Sequence, residues 1–255
     1  MSAYTLGTAV QLSATAALAA STAVTTGDQV VISGITVYDT LTIPTLATLK
    51  VENGSLYYKP GSDWIKIGVV DGGDGRAMTI TFTESDPAAD TYIDITDAIV
   101  NSVMQAIKFD TNTSTGTIAD DRTVTIKFNE TSIAAGASTT VTIAGSTAAD
   151  KIIYTSTLPA GFDAGGGNDT LIVKSGLSAV TLDSGANTAI DTFENIDASA
   201  ANSVVTLVMD SDFKDVKLGS ATDIIKIAAA ADLGTVSVDG GTGIDTLEIT
   251  ADAQT

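Results

Sequence analysis

The sequence predicts an all-β chain in two parts: a sandwich-like first part carrying one short helix, and a repetitive, solenoid-like or otherwise β-rich second part. Three observations predict it. Four Pro and 23 Gly punctuate short runs rich in Thr, Val and Ile, the composition of strands joined by turns. Several of these runs alternate small polar and branched apolar residues with the period of two expected of half-buried strands. Beyond Gly145 one glycine–aspartate phrase occurs twice, as in chains built from stacked turn-and-strand units.

Taken in order, residues 1–20 are Ala/Thr-rich, and their pattern fits a helix or an edge strand equally. Residues 29–38 (QVVISGITVY), 77–83 (AMTITFT), 123–129 (TVTIKFN) and 139–143 (TTVTI) alternate and are expected to be strands. Residues 49–58 (LKVENGSLYY) form the clearest hairpin, because Asn53-Gly54 suits the two positive-φ positions of a type I′ turn. Residues 94–109 break the β pattern: Ile99, Val100, Val103, Met104 and Ile107 share one helical face behind a Thr96 or Asp97 cap. The expected division is a sandwich-like domain over 1–145 and a repeat domain over 146–255, with no Pro/Ser linker between them.

Composition narrows the function. The chain has no Cys and no His, so thiol and imidazole catalysis, Cys/His zinc sites and disulfides are excluded. Twelve Lys plus Arg stand against 31 Asp plus Glu, a net charge of −19, and only five of the acids are Glu. Such a chain repels nucleic acid and anionic membranes and attracts cations. Asp is the short oxygen donor of calcium loops and also a common turn residue. No window reaches 18 apolar residues, so no membrane insertion is expected, and residues 1–21 lack the Lys/Arg-led apolar run of a Sec signal. One Trp and no phosphate loop leave little to suggest an enzyme.

The repeated phrase carries the most specific chemistry. Residues 163–173 read DAGGGNDTLIV and residues 239–249 read DGGTGIDTLEI, offset by 76 residues, with Gly165, Gly167 and Asp169 matching Gly241, Gly243 and Asp245. Upstream, Gly145-Ser146 before Asp150 parallels Gly219-Ser220 before Asp223, and residues 183–193 look like a worn third copy. In the nonapeptide G-G-x-G-x-D-x-U-x the glycines close a turn with inward carbonyls, Asp adds an anionic oxygen and the large apolar residue fills the core. Residues 240–248 fit it throughout; 164–172 fit except that Ala164 replaces the first Gly. Here the chain resembles the RTX, or hemolysin-type, calcium-binding repeat proteins, which include adhesins, secreted enzymes and some bacterial surface-layer proteins. The resemblance implies Ca2+ as cofactor, with Asp169 and Asp245 as side-chain ligands and backbone carbonyls around Gly165, Gly167, Gly241 and Gly243. Asp163 and Asp239, which open the two phrases, join the candidate set. RTX rolls stack the nonapeptide in immediate tandem, whereas these copies stand apart; without metal, each is an ordinary turn ending a rung.

Residues 49–130 are similar to the cadherin-like or immunoglobulin-like repeats of large bacterial adhesins, which supports a β-sandwich. Two lesser cation candidates are a loop from Asp110 through Asn112 and Ser114 to Asp121, which imitates an EF-hand without its glycine, and Asp71 with Asp74 in a Gly-rich turn. The expectation is a non-catalytic, self-assembling protein of the bacterial cell surface, in a surface layer or filament, ordered by calcium and exported by type I secretion. The alternative is a ligand-binding module of an RTX-like adhesin, with a cell-surface glycan as partner.

Overall fold

The computed structural model describes residues 2–20, 22–83, 93–111, 115–209, 211–227 and 235–249; it is mostly β, with 40% of residues in strands and 6% helical. The chain forms two compact units, Met1–Asn112 with Asp121–Thr142, and Thr113–Asp120 with Ile143–Thr255.

The first unit contains β1 (Ser2–Thr5), β2 (Val10–Gln11), β3 (Gln29–Ser33), β4 (Asp39–Thr42), β5 (Leu49–Glu52), β6 (Ser55–Tyr58), β7 (Ile65–Asp71) and β8 (Met78–Phe82). After these come α1 (Asp97–Ala106), β9 (Lys108–Thr111), β10 (Arg122–Phe128), β11 (Thr131–Ser132) and β12 (Ser138–Ala144). A nine-stranded sheet runs β1-β12-β10-β3-β8-β7-β6-β5 with β11 beside β10, and a three-stranded sheet runs β2-β9-β4. Side chains of the two sheets meet: Tyr4 of β1 packs edge-on against Phe109 of β9, and Arg122 of β10 is ion-paired to Asp39 of β4 at 2.8 Å with both side chains buried. Alternation decides the faces; Val30 and Ile32 of β3 and Met78, Ile80 and Phe82 of β8 are buried while their neighbours are not.

The hairpin of β5 and β6 turns at Asn53 and Gly54, both at positive φ (49° and 73°), as a type I′ turn requires. Helix α1 begins at Thr96, whose side chain accepts from the Ile99 N–H, and it buries Ile99, Val100, Val103 and Met104. Ile107, the last residue of the expected stripe, is buried just past the helix end. The segment that periodicity left open is two short strands, β1 and β2, held by long-range pairing such as Val10 to Phe109. The expected strand 29–38 is interrupted at Gly34, where φ is +91° and a Cβ would lie 2.0 Å from the Thr123 carbonyl oxygen.

The second unit is a β-solenoid of about four turns. Its strands are β13 (Lys151–Tyr154), β14 (Thr170–Val173), β15 (Val180–Leu182), β16 (Asn195–Asp197), β17 (Val205–Val208), β18 (Asp215–Lys217), β19 (Ile224–Ile227), β20 (Ser237–Asp239) and β21 (Thr246–Ile249). They lie in two parallel sheets, β13-β14-β16-β18-β20 and β15-β17-β19-β21, and alternate between them from β14 onward. The register stacks like on like: Ile152, Leu171, Ile196 and Val216 form one buried column, and Leu182, Leu207 and Ile225 form another. Residues 183–193 do not form a third glycine–aspartate turn; they make a corner with a 3-10 turn, Ile190–Thr192, and Phe193 stacks on Phe162.

Candidate metal centre

Each glycine-rich phrase lies directly against a plainer turn of the preceding rung. Residues 164–169 (AGGGND) stack on 145–150 (GSTAAD): the Gly145 N–H donates to the Asp163 carbonyl at 2.9 Å and the Gly166 N–H to the Ser146 carbonyl at 2.8 Å. Residues 240–245 (GGTGID) stack on 219–223 (GSATD) in the same way, with the Leu218 N–H on the Asp239 carbonyl and the Thr242 N–H on the Gly219 carbonyl at 2.9 Å. The copies that stand apart in sequence thus each have a stacked neighbour in space.

The glycines are what allow this approach. Gly165 and Gly167 have φ of 92° and 139°, and Gly241 and Gly243 have 81° and 130°, so the two copies share one backbone path. A Cβ at Gly165 would fall 2.0 Å from the Ser146 carbonyl oxygen and one at Gly241 would fall 2.1 Å from that of Gly219, distances no side chain permits. Turn carbonyls of the lower rung, at Ser146, Ala148, Gly219 and Ala221, are brought against the four glycines.

The aspartates form matching ladders. Asp169 Oδ1 accepts from the Asp150 N–H at 2.7 Å, while Asp150 Oδ2 accepts from the Ser146 N–H at 2.6 Å. Asp245 Oδ1 accepts from the Asp223 N–H at 3.0 Å, while Asp223 Oδ2 accepts from the Gly219 N–H at 3.2 Å. Asp163 and Asp239 each accept, through Oδ1, the N–H two residues on, that of Gly165 at 2.8 Å and of Gly241 at 2.9 Å. The first site adds Glu194, whose Oε2 accepts the Asp169 N–H at 2.7 Å. Asp150, Asp223 and Glu194 were not in the sequence-based ligand set; their signal was position, each immediately before a strand.

The two sites differ in burial. Asp169 is fully buried, and its Oδ2 has no hydrogen-bond partner. Burial, reinforced by the negative charges of Glu194, Asp150 and Asp163, pushes its carboxyl up from 3.8 to about 6, against the opposing pull of the Asp150 N–H. An oxygen that is buried, anionic at neutral pH and unpartnered suits a hard cation that carbonyl oxygens can also ligate. Asp245, on the last rung, is only partly buried. Among the described residues no three or more Asp, Glu, His or Cys side chains converge as a metal cage, so a cation here would depend on backbone carbonyls for much of its shell.

The lesser candidates are accounted for differently. Asp71 is held by Arg76 through two hydrogen bonds, at 2.7 and 3.0 Å, at an exposed hairpin end. Asp110 accepts from the Tyr4 hydroxyl and the Thr111 N–H; residues 112–114 of the EF-hand-like loop lie outside the described residues. No helix among the described residues is long and apolar enough to cross a membrane. Compared with known proteins, the chain matches no family model, no curated protein and no solved structure.

Proposed function

We propose that this chain is a structural, non-catalytic protein of the bacterial cell surface that self-assembles into a surface layer or extracellular filament, with Ca2+ ordering its solenoid. One observation carries the reading: the buried, unpartnered Oδ2 of Asp169, among Asp150, Asp163 and Glu194 and at the end of a glycine turn stacked on carbonyls. Calcium bound there would neutralise part of an acid cluster that otherwise weakens the stack, so the metal would couple to rung order. Asp169, with Asp163 and carbonyls around Gly165 and Gly167, would hold one ion; Asp245, Asp239 and the carbonyls around Gly241 and Gly243 would hold the equivalent one. A net charge of −19 makes contact between copies depend on cations in the same direction.

The second reading, a glycan-binding adhesin module, is favoured by one feature of the first unit. Lys50 Nζ lies 5.1 Å from the ring centroids of both Tyr57 and Trp64, and Lys59 Nζ lies 5.6 Å from Trp64, an aromatic and basic group in an acidic chain. Light scattering after size exclusion, in EDTA and in millimolar Ca2+, separates the two. Calcium-driven growth in wild type that is lost in Asp169→Asn/Asp245→Asn supports assembly. A monomer in both buffers that binds immobilised glycan supports the adhesin module.

A further inference from the structure

One face of the first unit departs from the charge of the chain as a whole. Residues 50–66 hold Lys50, Lys59 and Lys66 against only Glu52 and Asp63, in a chain where acids outnumber bases 31 to 12. Register brings two of the lysines together: Lys50 of β5 pairs with Tyr57 of β6, and Tyr57 with Lys66 of β7, so the three stand side by side on one face. Leu49, Leu56 and Ile67, each next in sequence to one of them, turn to the buried side. Trp64 joins the group, since Lys50 Nζ lies 5.1 Å from its ring centroid and from that of Tyr57, and Lys59 Nζ lies 5.6 Å from that of Trp64. The acids nearby neutralise little of this. Glu52 is paired to Lys50 at 2.7 Å and Asp63 accepts from the Ser62 hydroxyl, while neither Lys59 nor Lys66 is ion-paired among the described residues.

We propose that Lys50, Lys59 and Lys66, with Tyr57 and Trp64, bind an anionic polysaccharide. The inference deepens the glycan-binding reading and rests on it, since it names the class of glycan. Charge selects an anion: ammonium groups already stand over both rings, so the face presents positive charge backed by aromatic surface rather than open rings for a neutral sugar. A polyanion that the rest of the chain repels meets unpaired lysines here. The rings select a saccharide over a bare acidic peptide, because Tyr57 and Trp64, both partly exposed, offer apolar surface between the charges to sugar C–H groups. Two ammonium groups held at the single ring of Trp64 are also placed before the ligand arrives, which lowers the cost of ordering them on binding.

The test uses the full chain in EDTA, so that no divalent ion bridges carboxylates. Titration calorimetry, together with the fluorescence of Trp64, the chain's one tryptophan, reads binding of oligogalacturonate, dextran sulfate, uncharged dextran and polyglutamate. One or both anionic glycans should bind and weaken as salt is added. Dextran and polyglutamate should bind at least about tenfold more weakly. Lys59→Gln/Lys66→Gln should lose at least about tenfold in affinity, and Lys66→Gln alone, at an exposed position, part of that. Lys127→Gln/Lys151→Gln, which removes two exposed lysines elsewhere, should keep wild-type affinity. Dextran bound as tightly as its sulfate overturns the charged site and leaves the glycan-binding reading standing. Polyglutamate bound as tightly as the glycans overturns the saccharide and points to an acidic protein surface instead. Anionic glycan binding that survives Lys59→Gln/Lys66→Gln overturns the site, and no binding of any glycan overturns the glycan-binding reading with it.

Discussion

Replacing Asp169 by Asn separates the hydrogen bond of this side chain from its charge. The amide oxygen can still accept the Asp150 N–H, now made at 2.7 Å, while the buried negative charge disappears. A carboxyl raised from 3.8 to about 6 favours its protonated form in the folded state. Its favourable contribution is therefore complete below pH about 3.8 and is lost as pH rises through about 6; at pH 7.5 the native protein carries the full cost of the buried charge. At 1.36 kcal/mol per unit that cost is about 3 kcal/mol. The amide N–H2 that replaces Oδ2 recovers only part, so in EDTA at pH 7.5 Asp169→Asn should stabilise the solenoid by about 1–2 kcal/mol, a rise of roughly 2–8 °C in melting temperature. At pH 4 the advantage should vanish. Asp169→Ala should destabilise by about 1–3 kcal/mol at pH 4, because it leaves the Asp150 N–H buried without its acceptor, whereas at pH 7.5 relief of the buried charge should offset most of that loss. Differential scanning calorimetry across pH 4 to 7.5 in EDTA reads all three. An Asn variant less stable than wild type at pH 7.5, with an unchanged pH slope, would refute the reasoning.

Other consequences follow from single positions. Gly165→Ala should cost more than about 1 kcal/mol, because φ is +92° and the new Cβ would meet the Ser146 oxygen; Gly166→Ala, with open space around it, should be nearly silent, and thermal melts of the pair check this. Arg122→Met should cost about 3–5 kcal/mol in urea unfolding of the first unit, since it strands the buried carboxylate of Asp39; Arg122→Met/Asp39→Leu should recover most of the loss. Thr96→Ala should lower stability by about 1 kcal/mol through loss of the helix cap, and hydrogen exchange should locate the effect at α1.

Local chemistry made much of the fold legible. Asn53-Gly54 demanded a hairpin, the 94–109 stripe demanded a helix, and the Gly165/Gly167 and Gly241/Gly243 spacing gave turns with nearly the same dihedral path. What stayed hidden depended on distance along the chain. Nothing near Val10 announces its pairing with Phe109, and nothing near Asp39 announces a buried partner at Arg122. Gly34 reads as one more small residue in an alternating run, and only the close approach of the Thr123 carbonyl turns it into a break. The 76-residue offset reads as a repeat, but it spans three and a half rungs, so its copies precede strands of opposite sheets, β14 and β21. The acid partners Asp150, Asp223 and Glu194 were hidden for the same reason, since stacking, not sequence proximity, brings them beside Asp169 and Asp245.

The central claim is that calcium acts on the stacked glycine–aspartate turns. Hydrogen exchange followed by mass spectrometry, on the intact chain in EDTA and in millimolar Ca2+, tests it most directly. The account predicts added protection over 145–173 and 219–249 with Ca2+, no change across β3 to β8, and loss of the first effect in Asp169→Asn. Protection unaltered by Ca2+ in both segments, or altered equally in β3 to β8, would contradict it.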